Sequence, residues 1–391
     1  MILHNSGKED VTILTCHGYL TITRTILRPK DPDQIKKLKD STGKKSVVPL
    51  DIALGIDELP YKITRQMMLQ ITRDAISARS YQEVEERYKA EKDIEISSDQ
   101  IRLVTDYVGD RVVKQDKERA RNALNSLDKD RKSRKSGRDS VGVLYLMMDG
   151  AHILTVEEGW KEVKTAMVFS SKQLYTWKNR NTGEECRKIL QKDFVSCMDS
   201  ASVFKGHVAA LFKRNNGHKF KEVVVIGDGA DWIQNIADEI CPDSVRILDL
   251  AHLKGKVGTF GKQIFGDKPE GKEWIDNVCK MLEDGKWEEV LQLPEVVAHR
   301  DDKTTGGKVN LHLYINDRKS SLDYPKYKEK GYFVGSGAME SANKYVPQER
   351  LKLTGMRWKI ISVRRILSLR AREKSKKWHE VEKIVENALY S

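Results

Sequence analysis

The chain has 391 residues, of which 39% are hydrophobic and 33% charged, enough for two or three modest cores under a strongly hydrated surface. Lys and Arg number 70 against 58 Asp and Glu, and the net charge of +12 favours a polyanionic partner. No apolar run is long enough to span a bilayer. Five scattered cysteines without a CxxC pair argue against a disulfide scaffold and a four-cysteine zinc site. The opening MILHNSGKED lacks the apolar stretch and cleavage site of a secretory signal. These features predict a cytoplasmic protein with no membrane partner.

Residues 11–28, VTILTCHGYLTITRTILR, alternate apolar and polar about Gly18 and read as a β-hairpin. Residues 29–46 read as a charged loop. Three helices follow, over 63–78, 80–90 and 98–127. Ile63, Met67, Met68, Ile71, Ala75 and Ile76 share one face of the first. Ser80 and Glu83 have capping-box spacing at the second. Ser97 or Ser98 caps the third, whose inward positions are Ile101, Val104, Val108 and Val112. Short helices joined by tight turns suit a plain bundle, and the basic context brings a DNA-binding helix-turn-helix level with it. Residues 111–140 form a charge-rich bridge, and KSRKSGRDS within it reads as an exposed basic linker.

VGVLYLMMDG (141–150) is a continuous apolar run, the mark of a strand buried on both faces. AHILTV and EVKTAMVFS read as two more strands, and residues 199–214 as a helix. KEVVVIGDGADW (221–232) is a second buried strand ending in a Gly-Asp-Gly turn, followed by the short helix DWIQNIADEI. SVRILDLAHL (244–253) reads as another strand. The order β-β-β-α-β-α-β predicts a mixed α/β sheet. Residues 254–330 are helical and loop material, with WIDNVCKMLEDGKWEEVL as the clearest helix.

Two buried strands thus end in an aspartate, Asp149 and Asp228, and the carboxyl ends of such strands are where ligands sit. A third carboxylate, Glu340, stands at a predicted helix start in GSGAMES. Singly, each has an ordinary explanation in a turn or a helix dipole. Jointly, in a basic chain, they fit a two-metal phosphodiester site, and their hard oxygen ligands suit Mg²⁺ or Mn²⁺. Asp249 and His252 have DxxH spacing and read as a capping Asp with a partly buried His, or as a support for the acidic site. No dinucleotide fingerprint, Walker A loop or GxSxG elbow is present.

The segment 344–378 carries twelve Lys/Arg against two Glu. Ile361, Ile366, Leu367 and Leu369 are expected inside, and Arg364, Arg365, Arg372 and Lys376 outside. The candidate DNA contacts are Arg102, the linker residues Arg131, Lys132, Arg134 and Lys135, and Arg350, Lys352, Arg357, Trp358, Arg364 and Arg365.

MDGA, VVVIGDGADWI, ILDLAHL, FVGSGAMESANKYVPQERLKLTGMRW and the closing ILSLRA…W resemble the catalytic region of bacterial insertion-sequence transposases of the DDE type, in particular the Kra-type and Lre-type groups. The resemblance implies a ribonuclease-H-like core with a helical insertion before the helix that bears the glutamate. It maps the acidic triad onto Asp149, Asp228 and Glu340, and the DxxH position onto Asp249 and His252. Related proteins often carry a cysteine-rich segment before PLD; here KDPDQIKKLKDSTGKKS has no cysteine, so no zinc is expected.

The expected organisation is a β leader (1–62), a helix-turn-helix-like region with basic linker (63–140), a ribonuclease-H-like core (141–253), a helical insertion (254–330) and a C-terminal region with Glu340 and a basic tail (331–391). The expected activity is transposition. Two Mg²⁺ or Mn²⁺ ions serve cleavage at element ends and strand transfer into target double-stranded DNA, by a homodimer or higher oligomer. The alternatives are a metal-dependent nuclease on the same core and a truncated or domesticated DNA-binding relative.

Overall fold

The computed structural model describes residues 1–56, 62–136, 140–183, 185–304, 307–335 and 337–387, with the side chains of 128–141, 185 and 387 left out. The chain divides into two compact units, Met1–Gln115 with Arg364–Ser391, and Asp116–Val363. No described helix is long and apolar enough to cross a membrane.

The first unit opens with the predicted hairpin, β1 (His4–Thr15) and β2 (Gly18–Arg28), closed at Thr15 and Gly18. The charged stretch after it is not all loop: Pro32–Thr42 is helix α1. Its boundary signals outweigh its poor apolar content. Asp31 accepts from the Asp33 N–H at 2.9 Å, Pro32 sits in the first turn, and Gly43 closes the end in the left-handed region. Helix α2 (Pro49–Leu54) is short, and α3 (Arg65–Ser77), α4 (Tyr81–Lys92) and α5 (Ser98–Ser136) follow. Only three residues separate α3 from α4. Ser80 Oγ accepts from the Glu83 N–H at 3.0 Å. Ser97 and Gln100 cap α5 reciprocally at 3.2 and 3.1 Å. Helix α5 runs nine residues past its expected end. The segment read as a linker is therefore helical to Ser136, and the rest of it, 137–139, lies outside the described residues.

The five inward residues predicted on α3, with Ile63 just before it, and all four of α5 are buried in one cluster. Leu369, Trp378, Val381, Ile384 and Val385 complete that cluster from two C-terminal helices, Ile360–Lys374 and Trp378–Asn387.

The second unit holds a five-stranded mixed sheet of β3 (Ser140–Thr155), β4 (Gly159–Ser170), β7 (Asp193–Cys197), β8 (Phe220–Gly227) and β9 (Val245–Leu248). The order is β7-β4-β3-β8-β9. The first three strands run antiparallel to one another, and β8 and β9 run parallel to β3. A separate hairpin, β5 (Leu174–Lys178) with β6 (Glu185–Ile189), interrupts the path from β4 to β7.

Two strand expectations are corrected here. VGVLYLMMDG and AHILTV are one strand, because β4 pairs with β3 without a break from Leu144 to Thr155. The third core strand is instead β7, whose five residues are too few to show a period. On one face of the sheet, Leu144, Leu146, Met148, Val223 and Val225 pack under helices α6 (Ala201–Arg214) and α7 (Asp231–Ile240).

SVRILDLAHL is strand only to Leu248; helix α8 (Leu250–Phe265) starts directly after it. The insertion continues with α9 (Pro269–Glu283), α10 (Trp287–Leu291), α11 (Pro294–Ala298), α12 (Leu311–Asn316) and α13 (Tyr324–Glu329). Gly285, at φ +77°, splits the single helix expected over α9 and α10. Helix α14 (Gly337–Asn343) then carries Glu340 in its first turn.

If the C-terminal helices complete the first unit, Leu369→Ala should destabilise it by about 2–5 kcal/mol. Hydrogen exchange should show the loss in α3 and in the first half of α5.

Candidate active site

The register of the sheet builds the site. Met147 pairs with Ile226, and Gly227 with Leu248. Continued by two residues, the first register sets Asp149 beside Asp228. Continued by one, the second sets Asp228 beside Asp249. Three aspartates therefore stand in a row where β8 and β9 end, with adjacent backbones roughly 5 Å apart. Asp149 itself is not at a strand end, since β3 runs on beside β4. It lies where its parallel neighbour stops.

Asp149, Asp228, Asp249, His252 and Glu340 all line one cavity of about 400 Å³. Met148, Ile226 and Met339 give it apolar walls. Lys256 and Thr259 join His252 from one face of α8, at helical spacing. Glu340 is exposed on this cavity, whereas Asp249 is 5% exposed.

Each aspartate is held by specific donors. Asp149 Oδ1 accepts from the Gly150 N–H at 2.7 Å, and Oδ2 from Asn343 Nδ2 at 2.6 Å. Asp228 Oδ1 accepts from the Ala230 N–H at 2.9 Å. Asp249 caps α8 through the Ala251 N–H at 3.1 Å, so the capping role expected for it is real. Burial, reinforced by the charges of Asp228 and Asp249, pushes the Asp149 carboxyl up to about 6, although the Gly150 and Asn343 donors pull it down.

The insertion braces the same strand ends. The Tyr314 hydroxyl donates to the Asp228 carbonyl at 3.0 Å, and the Tyr324 hydroxyl to the Leu248 carbonyl at 2.9 Å. Arg318 donates twice to the Gly229 carbonyl, at 3.2 and 2.9 Å, and lies over the Tyr314 ring. Gly229 has φ +82°, and a Cβ there would collide with the Arg318 side chain. The glycine thus serves both the turn and the brace.

Asn343, Lys256, Tyr314 and Arg318 were not apparent in the sequence as site residues. Asn343 does sit three residues after Glu340, on the same helical side. Its Oδ1 is buried without a hydrogen-bond partner, which costs about 1–3 kcal/mol. That cost is met at a position whose Nδ2 secures Asp149.

Hard oxygen donors, a raised carboxyl and a buried acceptor without a partner fit a divalent cation by charge and chemistry. Among the described residues, no three His, Cys, Asp or Glu side chains form a group that could hold a metal ion as placed. The donor set fits the ion without being a ready-made cage.

Several expected DNA contacts are otherwise engaged. Arg350 is 1% exposed and lies over the Trp358 ring at 4.8 Å, while Trp358 Nε1 donates to the Leu351 carbonyl at 3.1 Å. Both serve to hold the chain in place. Arg365 pairs with Asp110 at 2.7 Å and Asp106 at 3.1 Å, and Arg102 with Asp99 at 3.4 Å and Asp106 at 3.3 Å. Arg364 is half-buried. Arg372, expected outside, is buried, and Ile361, expected inside, is exposed. Lys352 and Arg357 are exposed. The side chains of Arg131, Lys132, Arg134 and Lys135 lie outside the described residues.

A family model matches residues 35–387, and the chain belongs to that family, UPF0236, whose description is "Uncharacterised protein family". No curated protein matches it.

A carboxyl raised above its unfolded value binds more protons in the folded than in the unfolded state between about pH 4 and 6. Stability from this group therefore falls as pH rises through that window. Asp149→Asn should melt higher than wild type at pH 8, with the difference vanishing near pH 4 in thermal scans.

Proposed function

We propose that this member of UPF0236 is a DDE-type transposase that cleaves DNA at element ends and joins the freed 3′ ends to target DNA. The observation that carries the reading is the in-register row of aspartates facing Glu340 across one cavity, in a strongly basic chain. The sheet order, three antiparallel strands followed by two parallel to the first, supports a ribonuclease-H-like core. Membership of an uncharacterised family is compatible with this reading and adds no activity of its own.

In this reading Asp149, Asp228 and Glu340 hold Mg²⁺ or Mn²⁺, with Asp249 as the buried charge behind them. Such ions, when bound, supply an activated nucleophile and charge stabilisation at the leaving oxygen. The chain's own residues do the positioning. Gly150, Ala230 and Asn343 orient the carboxylates. Tyr314 and Arg318 fix the turn that carries Asp228. Lys256 faces the entering phosphate from α8 and offsets its charge, and His252 stands beside it as a hydrogen-bonding partner. Water cleaves the phosphodiester at the element end and leaves a 3′-hydroxyl, which then attacks a target phosphodiester and displaces its 3′ oxygen. Helices α3–α5, with three residues between α3 and α4, suit recognition of the element ends. Pairing two ends calls for a dimer or a larger assembly.

A preformed 3′-hydroxyl end incubated with a target duplex separates strand transfer from plain hydrolysis. Joined product is expected from wild type, and hydrolysis alone would make the protein a nuclease. Asp149→Ala, Asp228→Ala and Glu340→Ala should each reduce cleavage to background while DNA affinity stays within about threefold. Retained cleavage in all three would sink the acidic assignment. Asn343→Leu should weaken Mn²⁺ affinity by about 10–100-fold in calorimetry. Its melting temperature should fall little, because the bond lost at Asp149 is partly offset by removal of the partnerless amide oxygen.

A further inference from the structure

The segment 352–359, LKLTGMRWK without its first residue, is the most basic part of the resemblance, and its tryptophan is not free to stack on a base. Trp358 is instead an anchor. Its N–H donates to the Leu154 carbonyl at 3.2 Å, and its carbonyl accepts from the Val156 N–H at 2.9 Å. The Ile360 N–H reaches the Glu157 carboxylate at 3.1 and 3.2 Å. These bonds tie the segment to the far end of the β3–β4 hairpin. What they bring together is a different aromatic residue and a set of cations. Trp160 is 61% exposed, and Lys352 Nζ lies 5.8 Å from its ring. Arg357 and Lys359 are exposed nearby in sequence and form no ion pair among the described residues. The local carboxylates are taken: Glu157 by Ile360, and Glu158 by Lys161 at 2.6 Å.

We propose that Trp160 and Lys352 form a nucleic-acid contact, in which the indole stacks on an unpaired base and the ammonium pairs with its phosphate. The inference rests on reading the acidic cavity as a DNA-processing site. An exposed tryptophan beside uncompensated cations has the composition of a single-strand platform, and the rim charge disfavours an ordinary apolar protein partner. Its place is on the same hairpin as Asp149. Trp160 pairs with Leu154, five residues along β3 from Asp149. At about 3.4 Å per residue that is roughly 17 Å. The same distance spans about five nucleotide steps of a duplex strand. Trp160 shares the sheet face of Leu154, opposite to that of Asp149, so a single strand that leaves the cavity and passes around the hairpin end would meet the indole.

The test uses the full chain and a labelled 20-mer duplex, either blunt or with a five-nucleotide single-stranded overhang, with anisotropy measured across a salt series. Trp160→Ala should weaken overhang binding about tenfold, leave blunt-duplex binding unchanged and keep the salt slope. Lys352→Ala should instead lower the slope by about one ion. Trp177→Ala, at an exposed tryptophan on β5, should match wild type. Equal overhang affinity in Trp160→Ala and wild type overturns the inference and leaves the proposed function standing. Equal losses on blunt and overhang DNA also overturn it, as does a change confined to self-association. Absence of DNA binding by wild type removes both readings.

Discussion

Three carboxylates held in one register across adjacent strands are the constraint on which the second unit depends. The sheet brings Asp149, Asp228 and Asp249 together before any ligand arrives, so the folded chain carries their repulsion. Backbone N–H groups of Gly150, Ala230 and Ala251 offset part of it, and Asn343 adds a smaller share at the expense of its own oxygen. A packed core of Leu144, Leu146, Val223 and Val225 on the opposite face keeps the strands from sliding apart. A slip of one residue would turn both strand-borne aspartates toward α6 and α7. Register, not the individual acids, is therefore the feature that the fold protects.

The insertion belongs to this arrangement. Tyr314, Tyr324 and Tyr327 each donate a hydroxyl proton to a carbonyl at the end of β8 or within β9. Strand termini leave such carbonyls unpaired, and burying them unsatisfied is costly. By capping them, helices α12 and α13 allow the turn after β8 to be covered by protein instead of water. A helical segment between β9 and α14 is thus a structural part of the cavity, and shortening it should be felt at Asp228.

Much of this was legible in the sequence where periodicity is strong. The faces of α3 and α5, the buried β8 and the helices α6 and α7 all follow from spacing. Illegible parts have identifiable causes. Strand β7 has five residues, and β3 passes through an Asp-Gly pair that locally reads as a turn because only β4 keeps it extended. Helix α1 was hidden by its charge, although Asp31, Pro32 and Gly43 marked both ends. Five cavity residues were named from residue type and position. Asn343, Tyr314 and Arg318 escaped because they act on groups 194, 86 and 89 residues away, which no local pattern reports. The packing of Trp358 and Arg350 was illegible for another reason: a basic-aromatic pair looks the same in sequence whether it faces solvent or its own chain.

The first unit is assembled from two segments far apart in the sequence, residues 1–115 and 364–391. Its hydrophobic cluster lacks Leu369, Trp378 and Val381 until the last helices have been made. During synthesis α3 and α5 therefore wait, with part of their apolar face uncovered, until the segment that begins at Arg364 has emerged. A ribosome that stops early releases a product whose first domain is unfinished, and any fragment cut at the N-terminal boundary inherits the same gap. That domain is complete only once synthesis has passed Val385.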